Sequence, residues 1–596
     1  MTDRACAASS WGAVRCSGSH DGMTVRAVAG SHTVLLGIDL TAAARAGCLG
    51  FSIARTELGA AGDAVWLRNR LRFPEGAEGS GDGAPEEGWD FAVNATAAPA
   101  PVASAATTER HPWQAFRYVD ADVEPGRRYR YRVVARRGRS DRLEDGAAVE
   151  LTVATEDTGA EATAVFLNRA AAASPQYIER FGDVDPGGSP EARRWLSRGL
   201  EEGLLAFLAR AKDARFKLHV AVYEFQKREL LDALAAARDR GVEVRVVYHG
   251  RQRDARDRTA GENRAAARRA GISALCTPRV AAPGGGISHN KFVVLHEGGA
   301  PAAVWTGSTN WTDGALYGQL NVGHAVYRAD VAGHFERYFQ LLARDRPGAE
   351  IREALDRSLP VSAVRAAHAA GPGVWPVFSP RGSLEAVEFY AEVCARARSL
   401  MVCAPFLLHE KIRAALVKDR AKEGAAGLRF LLLDRPGNLG DAEGVDLLDA
   451  RGGVDVSVAT ALKTPLHDYQ RRQLVGRESF HHAGVHLHAK LILADPLGPD
   501  PTVITGSANY SESSTTDNDE NTLVLRGDAA VADIYATEFM RVFDAYHFRG
   551  RNAQREAAGR PLQLATDDRW SERYYAPSGA DGDRAAARRL FAGTAG

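Results

Sequence analysis

Apolar and polar positions alternate one by one through the first quarter of the chain, which predicts strands. The clearest case is Tyr129-Arg-Tyr131-Arg-Val133, which follows a Pro125-Gly126 turn and alternates aromatic or aliphatic residues with arginine. The stretch 74–106 is rich in Gly, Ala, Pro and Glu, which predicts a loop. We therefore predict an all-β domain at 24–156, preceded by a disordered N-terminus at 1–23.

Beyond residue 160 strand-like and helix-like patterns alternate in two successive series. Apolar runs at 217–223 and 242–248 flank a helical pattern at 229–240, an order that predicts a mainly parallel sheet covered by helices. A second series of the same kind begins after Leu384. In the tail, Arg569-Trp570 and Tyr574-Tyr575 are expected to dock on the second domain. The predicted parts are two α/β domains at 160–350 and 374–550, a linker at 351–373 and a C-terminal extension at 551–596.

Two polar motifs stand at the start of corresponding buried strands in these domains. One is His488-Ala-Lys490, followed by four apolar residues and Asp495; the other is His289-Asn-Lys291, followed by four apolar residues and His296. In each copy a Gly-Ser-x-Asn turn begins 18 residues after the histidine, and the copies lie 199 residues apart. Since the chain has only nine lysines, two His-x-Lys motifs with the same downstream turn indicate a duplicated domain.

These paired motifs resemble those of the phospholipase D superfamily. The resemblance implies an α/β protein with two phospholipase D-like α-β-α sandwich domains in a pseudo-twofold arrangement, preceded by the all-β domain as a sandwich. It also implies that both motifs meet in one pocket, so that a monomer is sufficient for catalysis. The N-terminal Pro-Gly-x-x-Tyr-x-Tyr-x-Val pattern is similar to fibronectin type III or immunoglobulin-like sandwiches.

The expected pocket takes histidine, lysine, asparagine and serine from each copy. Lysine and amide donors suit the equatorial oxygens of a phosphodiester in its transition state. The resemblance implies a two-step route without metal or cofactor, in which one histidine forms a phosphohistidine and the other protonates the leaving alcohol. The catalytic candidates are His289, Lys291, Asn310, His488, Lys490, Asp495, Asn509 and Glu520, and the substrate-binding candidates are Ser308, Ser507 and Asn321.

The two copies differ in the residue expected to orient each histidine. Glu520 lies 32 residues after His488, where the family has a carboxylate, and Asn321 takes that place after His289. We therefore expect Glu520 to hold His488, which favours His488 as nucleophile and His289 as acid, because a carboxylate raises imidazole basicity. The family more often has its nucleophile in the N-terminal motif, so both assignments stay open. The first copy, with His296 in place of the aspartate, is alternatively an impaired one.

Composition constrains the location more than the substrate. Lys+Arg and Asp+Glu balance at 75 each, so no net field draws the chain to nucleic acid or to an acidic membrane. No apolar run reaches the roughly 18 residues of a membrane span, and six scattered cysteines fit a reducing compartment, so a cytoplasmic location is expected. The predicted function is a phosphodiesterase acting on phospholipid headgroups. A nuclease, or a catalytically impaired binding or scaffold protein, is the alternative.

Other histidines and arginines offer competing interpretations. His481, His482, His486 and His488 could ligate zinc, but Ile287 stands at the place of His486 in the first copy. The arginines between 251 and 269 could line a polynucleotide groove, but interleaved Asp and Glu favour a solvated helix face. His219, His324 and His334 have no counterpart in the repeat, and we assign them structural roles.

Overall fold

The computed structural model describes residues 14–74, 106–157, 163–170, 174–182, 184–252, 254–282, 286–416, 427–435, 454–458, 486–557, 562–577 and 579–594. The predicted loop at 74–106 falls almost entirely outside the described residues.

The N-terminal part consists of two four-stranded antiparallel sheets, β1-β2-β3-β6 and β5-β4-β7-β8. The alternation at 129–133 is confirmed, since β7 buries Tyr129, Tyr131 and Val133 and exposes the arginines between them. The likeness to a fibronectin type III domain stays a prediction. The strands are β1 Arg15–His20, β2 Met23–Ala29, β3 Val34–Leu40, β4 Gly50–Leu58, β5 Val65–Trp66, β6 Arg117–Asp120, β7 Arg128–Arg139 and β8 Arg142–Ala154, with a short helix α1 Ala42–Arg45.

The prediction of a disordered N-terminus at 1–23 is wrong over 15–20, because β1 pairs antiparallel with β2 along its full length. An edge strand of this kind needs few apolar side chains, and in β1 only Cys16 is buried. Its Ser-, Gly- and His-rich sequence therefore carries no strand pattern.

The two duplicated domains each contain a seven-stranded sheet, and the two sheets have the same strand order. The first runs β12-β11-β10-β13-β14-β15-β9 and the second β19-β18-β17-β20-β21-β22-β16, so each strand has its counterpart seven strands later. The strands are β9 Thr163–Leu167, β10 Phe216–Val222, β11 Glu243–His249, β12 Cys276–Arg279, β13 Lys291–Glu297, β14 Ala300–Gly307, β15 Val322–Val326, β16 Gly373–Ser379, β17 Ser399–Ala404, β18 Leu428–Leu433, β19 Val454–Val458, β20 Leu491–Ala494, β21 Thr502–Gly506 and β22 Glu520–Arg526.

The sheets are mixed, and the prediction of mainly parallel ones is wrong. Only β10, β11 and β12 pair in parallel, as do β17, β18 and β19, and the remaining neighbours are antiparallel. Among the described residues, helices lie between β10 and β11, between β11 and β12 and between β17 and β18, whereas short loops join the antiparallel pairs β13–β14 and β20–β21. The duplicated α/β architecture itself is confirmed.

Helices cover the sheets and also occupy the predicted linker. The segment 351–373 was predicted to be a linker, but α8 and α9 lie within or across it, and α9 contributes Val361 and Val364 to the hydrophobic core. The helices are α2 Ser174–Phe181, α3 Pro190–Ser197, α4 Leu200–Ala209, α5 Arg228–Asp239, α6 Thr259–Arg269, α7 Ala329–Ala343, α8 Gly348–Ser358, α9 Val361–Ala370, α10 Glu385–Arg396, α11 Glu410–Leu416, α12 Glu512–Thr516, α13 Ala529–Ala557 and α14 Gly579–Ala592. No described helix combines the length and the apolar character needed to cross a bilayer.

Trp570, Tyr574 and Tyr575, which were predicted to dock on the second α/β domain, pack instead on Phe116 of the N-terminal part. Farther along the C-terminal extension, Phe591 of α14 contacts Phe430 of the second α/β domain. Trp570 stacks on Phe116 with ring centroids 5.3 Å apart, and its indole N–H donates to the carbonyl of Cys48 at 2.8 Å. One hydrophobic core runs from the N-terminal sheets through α13 to both seven-stranded sheets. The N-terminal sheets and the C-terminal extension, which are far apart in sequence, thus contribute side chains to the same hydrophobic core.

Candidate active site

Both His-x-Lys motifs lie where the parallel strands of their sheets end. In the first sheet Val222, the last residue of β10, faces Lys291 across an antiparallel pair, and in the second Cys403 faces Leu491. In sheets with helical crossovers the carboxyl ends of the strands form the usual ligand-binding edge. Each motif is therefore placed at the binding edge of its own sheet.

Short bridges join the two edges in a reciprocal manner. Ser288 pairs with Asp519, and Leu320 pairs with Leu487. In each bridge the residue before a motif histidine pairs with a residue just before the last strand of the other domain, β22 or β15. The backbone N–H of His289 also donates to the carbonyl of Asp519 at 2.9 Å. The chain therefore forms one composite pocket from its two domains.

The two histidines that the sequence singles out face each other in this pocket. Their ring centroids are 6.2 Å apart and their planes are at 79°. His289 is 2% exposed and His488 is 1% exposed, so both imidazoles are removed from bulk solvent. The structure thus brings together two side chains from opposite halves of the sequence.

The histidines take their orienting partners from the opposite domain, and the predicted pairing is wrong. Nδ1 of His289 lies 2.9 Å from Oε2 of Glu520, and Nδ1 of His488 lies 2.9 Å from Oδ1 of Asn321. The sequence spacing of 32 residues pairs each histidine with its own domain, whereas the reciprocal bridges exchange these partners. His289, not His488, therefore has the carboxylate.

Hydrogen-bond directions assign the tautomers. Asn321 donates its Nδ2 to the carbonyl of Ala315 at 3.0 Å, so its Oδ1 faces His488, and the Ser308 carbonyl is a second acceptor at 3.1 Å from the same Nδ1. Both neighbours of that nitrogen are acceptors, so it carries the hydrogen. Glu520 in its ionised form requires the same of Nδ1 in His289. In both rings Nε2 is left for chemistry.

Ser308, Ser507 and Asn321, which were predicted to bind substrate, form hydrogen bonds to other residues of the site. The Ser308 hydroxyl donates to Oδ1 of Asn321 at 2.8 Å and accepts from the N–H of Val322 at 3.0 Å. Ser507 forms the corresponding hydrogen bond to Glu520. Each serine thus fixes the residue that fixes a histidine.

Two buried lysines set the charge of the pocket. Lys291 and Lys490 are 2% and 0% exposed, and the Nζ of Lys291 donates to the carbonyl of His289 at 2.7 Å. Burial, followed by the positive charge of both lysines, holds the pKa of His289 and of His488 well below the ordinary value of 6.5. Both imidazoles are therefore neutral at pH 7, and the pocket favours an anion.

Burial also shifts the pKa of Glu520, the carboxyl group beside His289. Removal from water raises its pKa from 4.5 to about 8, although Lys291 and the hydrogen bond from Ser507 act in the opposite direction. A positive charge that develops on His289 would favour the ionised carboxylate. Glu520 is thus poised to respond to the charge of the histidine it holds.

Asp495 and the two asparagines were predicted to be catalytic, and the structure separates Asp495 from the site. Asp495 lies beyond the far end of β20, where its Oδ1 accepts from the backbone N–H of Ser399 at 2.7 Å. Asn310 is buried and donates its Nδ2 to Glu224 at 2.7 Å, while Asn509 is half-buried. Asp495 therefore stabilises a strand end, because five residues along a strand separate it from Lys490.

Sequence reasoning missed the polar residues at the ends of the parallel strands. The ring of Tyr223 lies 5.0 Å from that of His289 and 5.1 Å from the Nζ of Lys291. His249 ends β11 and accepts from the N–H of Ser288 at 3.2 Å. The sequence could have indicated these residues only by their position, because polar residues that directly follow buried parallel strands tend to reach the binding edge of the sheet.

The described members of the competing polar clusters have other partners. His486 lies beside Asp434, whose Oδ1 accepts from its backbone N–H at 2.7 Å, and His488 belongs to the histidine pair. His481 and His482 fall outside the described residues. Arg258, at the N-cap of α6, is 81% exposed and pairs with Glu262 at 3.4 Å.

Comparison with known proteins identifies the two halves of the repeat. A family described as cardiolipin synthase, PLD-like domain matches residues 205–343 and again 394–543. Each match contains one His-x-Lys motif and its Gly-Ser-x-Asn turn.

Solved structures similar to this chain include the three that follow. Nuc, a phospholipase D family member from Salmonella typhimurium, is 21% identical, and the match covers 31% of this chain and 94% of that one, with a TM-score of 0.22. Phosphatidylserine synthase of Haemophilus influenzae is 14% identical over 66% of this chain and 93% of its own, with a TM-score of 0.36. A yeast tyrosyl-DNA phosphodiesterase variant is 10% identical over 54% and 86%, with a TM-score of 0.28. No curated protein matches the chain.

Proposed function

Because both repeated α/β domains of this chain are phospholipase D-like, we propose that the chain is a phosphodiesterase that works through a phosphohistidine. The observation that carries the proposal is the buried pair of imidazoles, 6.2 Å apart, whose Nδ1 atoms are both held by acceptors. The free Nε2 atoms are then available to one phosphate group, and the charges of Lys291 and Lys490, which both act on the two imidazoles, favour its binding.

The first step uses His289 as the nucleophile. Its Nε2 lone pair attacks phosphorus, the bond from phosphorus to the leaving oxygen breaks, and Nε2–H of protonated His488 gives that oxygen its proton. Glu520 offsets the positive charge of the phosphorylated imidazole, a task that neutral Asn321 cannot perform for His488. The exchanged partners thus reverse the assignment that sequence spacing favoured.

The second step returns both histidines to their initial state. Nε2 of His488 takes a proton from water, the water oxygen bonds to phosphorus, and the phosphorus–nitrogen bond to His289 breaks. Protonation of His488 before the first step is helped by the substrate itself, since a bound anion opposes the effect of the two lysines on its pKa.

The substrate we propose is a phospholipid with its headgroup as the leaving alcohol. Two observations support this choice: the formal net charge is zero, and the description of the matching family names a phospholipid-forming enzyme. A nuclease would gain from a positive field, which this chain lacks overall.

Hydrolysis of bis(p-nitrophenyl) phosphate in EDTA tests the proposal. We expect wild-type turnover, no turnover with His289→Ala, and a loss of about 10²–10⁴-fold with His488→Ala, the range of general acid catalysis. His20→Ala, an exposed histidine of the N-terminal sheet, is the matched control and should keep full activity. Acid-labile, base-stable phosphate on His289 of the quenched His488→Ala variant would identify the nucleophile.

Three results would contradict the proposal in different ways. Equal rates in all variants would indicate a binding protein, and a phosphohistidine on His488 would reverse the two roles. Hydrolysis of a single-stranded oligonucleotide, with no release of headgroup from phosphatidylcholine vesicles, would replace the lipid substrate by nucleic acid. In that case binding should weaken steeply with salt.

A further inference from the structure

A second histidine cluster lies at the opposite end of the strand that carries the first motif. Nδ1 of His219, on β10, is 2.8 Å from Oε2 of Glu336, on α7, and Nε2 of His296, on β13, is 2.9 Å from the same oxygen. His219 is 3% exposed and His296 is 5% exposed. Two strands and a helix thus direct two imidazole nitrogens and one carboxylate oxygen to one point.

The hydrogen-bond pattern of this cluster is incomplete. If both imidazoles donate to Oε2, the opposite nitrogens, Nε2 of His219 and Nδ1 of His296, are buried lone pairs. Among the described residues Nδ1 of His296 has no hydrogen-bond partner, and the nearest acceptor to Nε2 of His219 is a Glu243 oxygen at 3.7 Å. The inner nitrogens and the Glu336 oxygen lie within 4.8 Å of one another, so one cation could bind all three.

We propose that His219, His296 and Glu336 bind one divalent transition metal ion, with Zn²⁺ as the best match. Two imidazole nitrogens and one carboxylate oxygen are a ligand set that suits zinc, and solvent can supply the fourth ligand because the Glu336 side chain is 15% exposed. A metal would accept lone pairs from the inner nitrogens, which moves the hydrogen of each ring to its outer nitrogen. The buried lone pairs would then become donors.

The surroundings already provide supports for such an ion. Oε1 of Glu243 lies 3.7 Å from Nε2 of His219, in place to accept its hydrogen once the metal is bound. Gln340 donates to the other oxygen of Glu336 at 2.6 Å, which leaves Oε2 for the metal. Ligands about 2.0–2.1 Å from a tetrahedral ion stand roughly 3.3 Å apart, so the present spacing has to widen by about half an ångström.

Within the described residues only the first domain has this cluster, which explains why its motif ends in His296 where the second motif ends in Asp495. In the first sheet Lys217 of β10 pairs with His296 of β13, and in the second sheet Ser399 of β17 binds Asp495 after β20. Lys217 therefore corresponds to Ser399, and His219, two residues later, corresponds to Met401. Methionine and aspartate at these two positions cannot reproduce the site. Since His296 lies five residues from Lys291 along β13, about 16 Å away, the ion would stabilise the fold and take no part in phosphodiester chemistry.

Metal titration of the full-length chain, stripped with chelator and desalted, tests this site. We expect wild type to bind one equivalent of Zn²⁺ with a Kd below about 1 µM, to show tetrahedral Co²⁺ absorption, and to melt several degrees higher with the metal. His296→Asp, which introduces the residue of the second domain, and Glu336→Gln should each weaken binding at least tenfold. His334→Ala, a histidine of α7 outside the cluster, should bind as wild type.

A further variant separates this site from the catalytic histidines. His488→Asn should keep the Zn²⁺ stoichiometry and the Co²⁺ spectrum, because the proposed ligands remain. Loss of metal in that variant alone would place the ion in the histidine pair and overturn the inference. So would unchanged binding in His296→Asp and Glu336→Gln, or no uptake by folded wild type at micromolar Zn²⁺.

Discussion

Glu520 determines both how His289 is oriented and how the stability of the protein depends on pH. Its pKa is raised by burial from 4.5 to about 8, so the folded protein retains a proton that the unfolded chain releases. This carboxyl therefore costs little stability below pH 4.5, and its cost grows as pH rises to about 8.

We expect Glu520→Gln to be increasingly more stable than wild type as pH rises between these values, while turnover falls because glutamine cannot offset charge on His289. Urea midpoints at pH 5.5 and 8, together with kcat at pH 7, measure both effects. Glu512→Gln, an exposed site in α12, is the control. A stability difference that does not change with pH would mean that Glu520 is ionised throughout.

Asp495 matters for the strand end and not for the reaction. Its Oδ1 accepts from the N–H of Ser399 at 2.7 Å and from its hydroxyl at 3.2 Å, and its φ is 49°. Asp495→Ala loses these hydrogen bonds and adopts a left-handed conformation that alanine disfavours, so we expect a loss of about 2–3 kcal/mol in the free energy of unfolding. Turnover should stay within about twofold. Asp495→Asn, which keeps an acceptor and tolerates this φ, should lose less; a fall of kcat in both variants would return Asp495 to the active site.

At the level of elements, the sequence predicted which strands carry the chemistry but not how they meet. The His-x-Lys motifs, their lysines and the following serines were found from spacing, because a duplicated strand and turn preserve it. The exchange of Glu520 and Asn321 was not predictable, because an equal offset in both copies is consistent with partners within a domain or across domains. Only the bridges from Ser288 to Asp519 and from Leu320 to Leu487 decide between them.

The short helical segment Asp568–Tyr575 fastens the C-terminal extension to the N-terminal sheets. Trp570 is 4% exposed and contacts both Phe51 and Phe116. Trp570→Ala should cost about 3–5 kcal/mol of unfolding free energy in this region, as expected for a large core side chain, with little change in kcat. Thermal unfolding and limited proteolysis measure this loss. The neighbouring Arg569→Ala, which removes a partly exposed side chain, should be nearly neutral; equal losses would mean that burial of the indole is not what holds the segment.

For the whole molecule, the domain duplication was readable from sequence, whereas the docking of its ends was not. Repeated spacing and alternating patterns are local, and they predicted two α/β domains and an N-terminal β-rich part. The contact between Trp570 and Cys48 spans 522 residues, and nothing local at either end indicates it. The same holds for His219, which we assigned a structural role from the sequence and which shares a hydrogen bond with Glu336 across 117 residues.

The N-terminal sheets are integral to the molecule through α13. Arg198 and Glu538 form a buried ion pair at 2.8 Å, and Arg117 and Asp544 form another between the N-terminal sheet and the same helix. Removal of one partner from such a pair leaves an uncompensated charge. The N-terminal part is therefore held to the rest by its core and by paired charges.

The crossed Nδ1 contacts have a consequence for any attempt to divide the protein. A cut among α8 and α9 would yield two pieces, each with its own imidazole and lysine, yet each lacking the acceptor that fixes its ring. Neither piece alone would hold an aligned Nε2, and alignment would return only when the two reassociate. Because the contacts are crossed, a substitution at the orienting residue of one copy of the repeat changes the orientation of the histidine in the other copy.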